Sequence, residues 1–341
     1  MNAQLQNLIA MPVDKLSRPV HDLRVSVIEA CNFRCPYCMP ADKTPDDATL
    51  QQAARLSFDQ IEQAVIAFVK IGVRKVRLTG GEPLLRKNLP QLIERLSRIP
   101  ELEDIALTTN GSLLEKQAFA LKQAGLHRLT ISLDALDAKV FSQLSGGKGQ
   151  VGDVLRGIAA AEAAGFSSIK INAVIQRGIN EDQVLPLVEK FRGTKHVLRF
   201  IEFMDVGNCN SWSMQDVVPS KQLQSKIHEH WPLKPVSANY RGEVASRYRF
   251  VDGAGEIGFV SSVSEPFCGD CHRARLSADG HVYTCLFAGK GHDIREDLAQ
   301  GEQALNQKLS EIWTNRADRY SELRNAQTRQ SRKIEMYFIG G

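Results

Sequence analysis

The chain has no apolar run approaching 18 residues, so a membrane-spanning helix is not expected. Met1 to Lys15 lack both a basic start and a long apolar stretch, which argues against a secretory signal. Net charge is small as well: 43 Lys and Arg against 39 Asp and Glu leave +4, too mild for a nucleic-acid or membrane surface. An anionic ligand must then be met by cations gathered locally. No Walker P-loop occurs, so a nucleotide is expected as substrate rather than energy source. Cysteine is scarce and unevenly spread, at positions 31, 35 and 38, then 268, 271 and 285, with Cys209 alone. That grouping suits metal ligation in a reducing cytoplasm better than a disulfide framework.

What remains is an ordinary globular composition, 43% hydrophobic and 24% charged over 341 residues, enough for a barrel-sized domain with an appendage. From Arg24 a strand–helix rhythm sets in. Strands are expected over Val25–Glu29, Lys75–Leu78, Ile105–Thr109, Arg128–Leu133, Ile169–Ile175 and Val197–Phe203. A capping box at Ser57-Phe58-Asp59-Gln60 opens the first helix, and helices over Leu89–Leu96, Leu114–Ala124, Val154–Ala164 and Val184–Phe191 separate the later strands. The class is α/β with parallel, right-handed crossovers. Six units are too few for a full eightfold barrel, so an open, partial (β/α)6 TIM-like barrel is expected, with its chemistry at the carboxyl ends of the strands. Residues 1–20 read as a polar arm, 21–210 as the barrel, and 211–341 as a C-terminal lid with helical pieces at Ala304–Trp313 and Glu322–Arg324.

Cys31-Asn32-Phe33-Arg34-Cys35-Pro36-Tyr37-Cys38 follows the first strand. Thiolates select iron–sulfur clusters, zinc or Cu(I), and a four-iron cluster on three thiols keeps one iron open. This Cys-x3-Cys-x2-Cys loop, with Tyr37 before its last thiol, resembles the cluster loop of the radical S-adenosylmethionine superfamily. There the open iron chelates S-adenosylmethionine. The resemblance implies that Tyr37 packs near the adenine, that Gly81 and Glu82 of Thr79-Gly80-Gly81-Glu82-Pro83 hold the amino group, and that Ser132 touches carboxylate or ribose. It also implies that the backbone of Met204 contacts adenine. On their own terms these are a Gly-rich turn, a strand end and a core methionine. Asp134 reads as a helix cap.

The second group, Cys268-Gly269-Asp270-Cys271 and then Cys285, offers three thiols, with His272 and His281 as zinc-completing alternatives. Together with Arg273-Ala274-Arg275-Leu276 and a terminal Gly340-Gly341, it is similar to the auxiliary-cluster region of the superfamily branch that cyclises GTP at the head of molybdenum-cofactor biosynthesis. The likeness runs from about Leu23 to the last residue. It implies two [4Fe-4S] clusters, S-adenosylmethionine as cofactor and GTP as substrate. By the same likeness Arg24, Arg77, Thr108, Lys170, Arg199, Arg273 and Arg275 contact the substrate; neighbouring Thr109 competes with Thr108. Arg273, Arg275, Gly340 and Gly341 act in catalysis. The expected chemistry is hydrogen abstraction from C3′ of GTP by a 5′-deoxyadenosyl radical, then attack of C3′ on C8, giving (8S)-3′,8-cyclo-7,8-dihydroguanosine 5′-triphosphate. An external electron donor, the next enzyme (cyclic pyranopterin monophosphate synthase) through the shared product, and a homodimer are the implied partners; nucleic acid and membrane are not. Two rivals stand beside this: a peptide-modifying radical maturase, and a non-enzymatic zinc module.

Overall fold

Alternation of polar and apolar residues builds the sheet. Lys75-Val76-Arg77-Leu78-Thr79 sends Val76 and Leu78 to one face and Lys75 and Arg77 to the other, and most neighbouring strands repeat the pattern. The computed structural model describes residues 11–42, 55–325 and 331–340.

The first half holds β1 (Asp22–Ser26), β2 (Lys75–Thr79), β3 (Asp104–Thr109), β4 (Arg128–Ser132), β5 (Lys170–Ile175) and β6 (Val197–Glu202), all parallel. Helices cover their outer face: α1 (Phe58–Lys70), α2 (Leu89–Ser97), α3 (Ala118–Gln123), α4 (Ala138–Leu144), α5 (Val151–Ala163) and α6 (Val184–Phe191). The capping box is present, with Gln60 N–H donating to Ser57 Oγ at 3.1 Å and Ser57 N–H donating to Gln60 Oε1 at 2.9 Å. After α7 (Ser220–His230) come β7 (Leu233–Val236), β8 (Ser246–Phe250), β9 (Glu256–Val260), β10 (Arg273–Leu276), β11 (His281–Tyr283) and β12 (His292–Asp293). The helices α8 (Arg295–Gln300), α9 (Glu302–Thr314) and α10 (Met336–Ile339) follow.

Among the described residues these strands form one sheet in the order β12-β11-β10-β1-β2-β3-β4-β5-β6-β9-β8-β7. β10 joins β1 in parallel, and β9 joins β6 in parallel. The C-terminal region therefore extends both edges of the barrel sheet, which remains open.

Several expected elements shift. β1 ends at Ser26 rather than Glu29, because the carbonyls of Ile28 and Ala30 accept from Gly81 N–H (2.7 Å) and Glu82 N–H (2.8 Å) instead of continuing a ladder. The helix expected over 114–124 is a 3₁₀ turn at Leu114–Lys116 followed by α3, with Gln117 N–H closing on Leu114 O at 3.0 Å. Residues 322–324 form a turn, not a helix; Glu322 and Leu323 N–H both fold back on Arg319 O.

Residues 11–20, within the polar arm, are bolted down. Asp14 accepts from Arg18 Nε at 2.7 Å and Arg316 Nη1 at 2.9 Å, and all three side chains are buried. Arg18 Nη1 then donates to Cys268 O at 2.6 Å, and Arg316 donates to Cys271 O at 2.8 Å and Thr284 O at 3.1 Å. Removing one partner strands buried charge, so Asp14→Ala is expected to cost about 3–5 kcal/mol, read by urea unfolding. A loss under about 1 kcal/mol, the range of an exposed pair, would contradict this arrangement.

Candidate active site

The polar faces of the strands line one cavity of about 370 Å³, within the usual range of a ligand site. All six grouped cysteines border it, and so do eight Lys and Arg side chains against four Asp and Glu. No histidine borders it, His272 and His281 included. Each thiol group thus offers three soft ligands, and the donor sets fit four-iron clusters with an open corner. Burial pushes the Cys31 thiol up to about 11 and Cys285 up to about 12, so loading metal must displace protons. Burial would raise Cys271 too, but Arg273 and Arg316 bring it down to about 7. Arg273 Nη2 stands 3.2 Å from its sulfur.

Strand register explains the cation row. Arg24 on β1 lies directly opposite Arg77 on β2 and Arg275 on β10. Like charges in register repel. Burial, then Arg275 and Arg77, depress Arg24 well below the guanidinium range. Burial followed by Arg199 lowers Lys170 to about 7, and burial followed by Arg77 lowers Arg199 to about 9. Burial and then Arg273 bring Arg275 to about 10. Gly258 lies opposite Arg199, and a Cβ there would sit 3.1 Å from Arg199 Cγ. Such a concentration of repulsion suits a polyanion.

A test follows from Lys170. Its folded pKa lies below the unfolded 10.5, so the unfolded chain binds more protons between about 7 and 10.5. Stability of the nucleotide-free protein should therefore rise with pH across that window. A triphosphate bound at pH 8 should restore the proton, giving roughly one proton taken up in calorimetry with two buffers. Zero uptake would place the phosphates away from Lys170.

Among the other candidates, Tyr37 lines the cavity and donates to Asp134 Oδ2 at 2.6 Å. Asp134 is no helix cap: it also accepts from Val174 N–H, while Asp137 caps α4. Gly81, Ser132, Met204 and Thr108 line the cavity. Gly81 must be glycine, since a Cβ would stand 2.4 Å from the carbonyl oxygens of Glu29 and Ala30. Glu82 does not reach the cavity. Fully buried, its carboxylate accepts from Thr109 Oγ1 (2.7 Å), Asn110 N–H (2.8 Å) and Leu84 N–H (3.0 Å), and burial pushes it up to about 7. It braces the loop together with Thr109, which also lines the cavity. Gly340 O accepts from Arg275 Nη1, while Gly341 lies outside the described residues. Cys209 is half-buried and borders no part of the cavity.

Lys75, Arg128, Asn172 and Tyr240 also line the cavity, and no motif announces them. Lys75 sits two residues before Arg77 on the same face, 3.8 Å from the Tyr240 ring centroid, so strand parity alone could have found it. Arg128 is paired with Asp104, and Asn172 Oδ1 accepts from Arg199 Nε at 2.9 Å.

Residues 25–191 match the Radical SAM superfamily model, and residues 196–322 match Molybdenum Cofactor Synthesis C. A GTP 3′,8-cyclase of Xanthomonas campestris pv. campestris (strain B100) is 64% identical over 99% of this chain and all of that one. The chain belongs to the GTP 3′,8-cyclase family. Family members in Acidothermus cellulolyticus and Staphylococcus epidermidis are 46% and 43% identical, each across 96% of this chain and 98% of their own. The solved structure of Streptococcus suis SuiB bound to S-adenosylmethionine shares the fold, with TM-score 0.62 at 15% identity, covering 88% of this chain and 66% of that one. Family membership makes the chain an enzyme of the GTP 3′,8-cyclase type. No helix among the described residues is long and apolar enough to cross a membrane.

Proposed function

We propose that the chain converts GTP to (8S)-3′,8-cyclo-7,8-dihydroguanosine 5′-triphosphate, the opening reaction of molybdenum-cofactor biosynthesis, using two four-iron clusters. The observation that carries this reading is the sharing of one cavity by two three-thiol groups and a row of like-charged arginines in strand register. Cys31, Cys35 and Cys38 would hold the first cluster, and Cys268, Cys271 and Cys285 the second. When loaded, the first would supply one-electron reduction of S-adenosylmethionine bound beside it.

The protein's own residues do the rest. Gly81 packs its backbone against the Glu29 and Ala30 carbonyls at the carboxyl end of β2, with Glu82 locking that loop. Tyr37, Ser132 and Met204 form the wall assigned to S-adenosylmethionine. Arg24, Arg77, Thr108, Lys170 and Arg199 hold the triphosphate from the strand faces, joined by Lys75. Arg273 and Arg275 stand between that cage and the second thiol group, where they can neutralise charge as the base is reduced. The Gly340 carbonyl accepts from Arg275 and fixes that guanidinium against the tail. Positioning of this kind can contribute about 7–11 kcal/mol by effective molarity.

An external one-electron donor is required by that reduction, and the product leaves for the pterin-forming enzyme that follows. The six thiols of the two groups, none of them in a disulfide, suit the cytoplasm. The test is anaerobic reconstitution with iron and sulfide, then dithionite, S-adenosylmethionine and GTP, with products separated by chromatography and mass. An isomer of GTP's mass formed with 5′-deoxyadenosine supports the reading; 5′-deoxyadenosine with untouched GTP overturns the substrate.

A further inference from the structure

Asp205 follows Met204 at the end of β6 and is buried. Its Oδ2 accepts from Tyr320 Oη at 2.5 Å and Lys333 Nζ at 3.1 Å, its Oδ1 from Arg324 Nε at 3.1 Å, and its backbone carbonyl from Lys333 Nζ at 2.9 Å. Tyr320 stacks on Phe287, two residues after Cys285, with centroids 4.4 Å apart. Lys333 Nζ stands 4.8 Å from the Tyr320 ring centroid, and Arg324 stands 5.5 Å from that of Phe287. One carboxylate thus gathers three separate parts of the site: the strand end carrying Met204, the loop carrying Cys285, and the C-terminal tail.

The tail is zipped on from this point. Lys333 N–H donates to Asn208 Oδ1, Ile334 N–H to Ala288 O at 2.9 Å, and Asn208 N–H to Glu335 Oε1 at 2.9 Å. Then α10 buries Tyr337 and Ile339 and delivers Gly340 to Arg275. Within the described residues Lys333 is the only charged tail group that is buried, and Asp205 is its counter-ion.

We propose that Asp205 is a positioning residue that seats the C-terminal tail in the active site and locks it to the wall around Met204. Its catalytic consequence rests on the reading under Proposed function; the seating itself does not. Without the carboxylate, Lys333 and Arg324 lose their shared partner beside two aromatic faces, and the tail trades its buried position for solvent.

The test compares wild type, Asp205→Asn, Asp205→Glu and Lys333→Met as full-length chains. Chymotrypsin cutting after Tyr337, followed by intact mass, reads tail release in protein without clusters or nucleotide. Asp205→Asn and Lys333→Met are expected to be cut about tenfold faster or more, and Asp205→Glu to fall between them and wild type. In reconstituted enzyme, cyclised product per 5′-deoxyadenosine should fall about tenfold in the same two variants, while 5′-deoxyadenosine still forms. Cutting at the wild-type rate in both variants overturns the seating. Faster cutting with an unchanged product ratio overturns the tail's catalytic placement and leaves the seating intact. Should Asp205→Asn not fold, Lys333→Met reads the same seating from the tail side.

Discussion

Arg24→Met should stabilise the nucleotide-free protein and at the same time weaken GTP binding by about 2 kcal/mol, on the order of 30-fold. Both effects have one origin. Strand register fixes Arg24 between Arg77 and Arg275, and no carboxylate hydrogen-bonds to it among the described residues. Methionine keeps the apolar stem and deletes the charge, so the empty site loses repulsion and the filled one loses a phosphate grip. A melting temperature roughly 2 °C higher without GTP, with a weaker calorimetric Kd, is the expected pair. A lower melting temperature with unchanged affinity would mean that the row is structural.

Gly340→Ala is expected to cut cyclisation by about a hundredfold or more while both thiol groups still load iron. Gly340 has φ +73°, which side chains rarely adopt, and a Cβ there would lie 1.9 Å from Thr79 Oγ1. Alanine must push the tail out of its slot, and Arg275 then loses the carbonyl it holds. Iron and sulfide per chain should match wild type. A variant that cyclises GTP at the wild-type rate would show that the slot tolerates displacement and the tail is not part of the working site.

Local chemistry made half of this site legible. Three thiols on one loop, a strand-ending Gly-Gly, and alternating strands are short-range signals. The partial barrel follows from them because each βαβ unit announces itself within about thirty residues. The extension of the sheet was not legible. β10 pairs with β1 across some 250 residues of sequence, and nothing in four residues of strand names so distant a partner. The same distance concealed the bolt from Asp14 and Arg18 to the backbone of Cys268 and, through Arg316, of Cys271. The packing of Glu82 was hidden for the opposite reason. Its motif invites a ligand role, yet the chain folds back so tightly at Gly80-Gly81 that the carboxylate points into the scaffold. Lys75 was recoverable, since it shares Arg77's face.

The most direct test of the central claim uses GTP carrying deuterium at C3′, turned over anaerobically by the reconstituted protein, with 5′-deoxyadenosine analysed by mass. If one cavity brings S-adenosylmethionine and the ribose of GTP together, deuterium appears in the 5′-deoxyadenosine and leaves the cyclised product. Deuterium-free 5′-deoxyadenosine formed alongside full GTP consumption would contradict it.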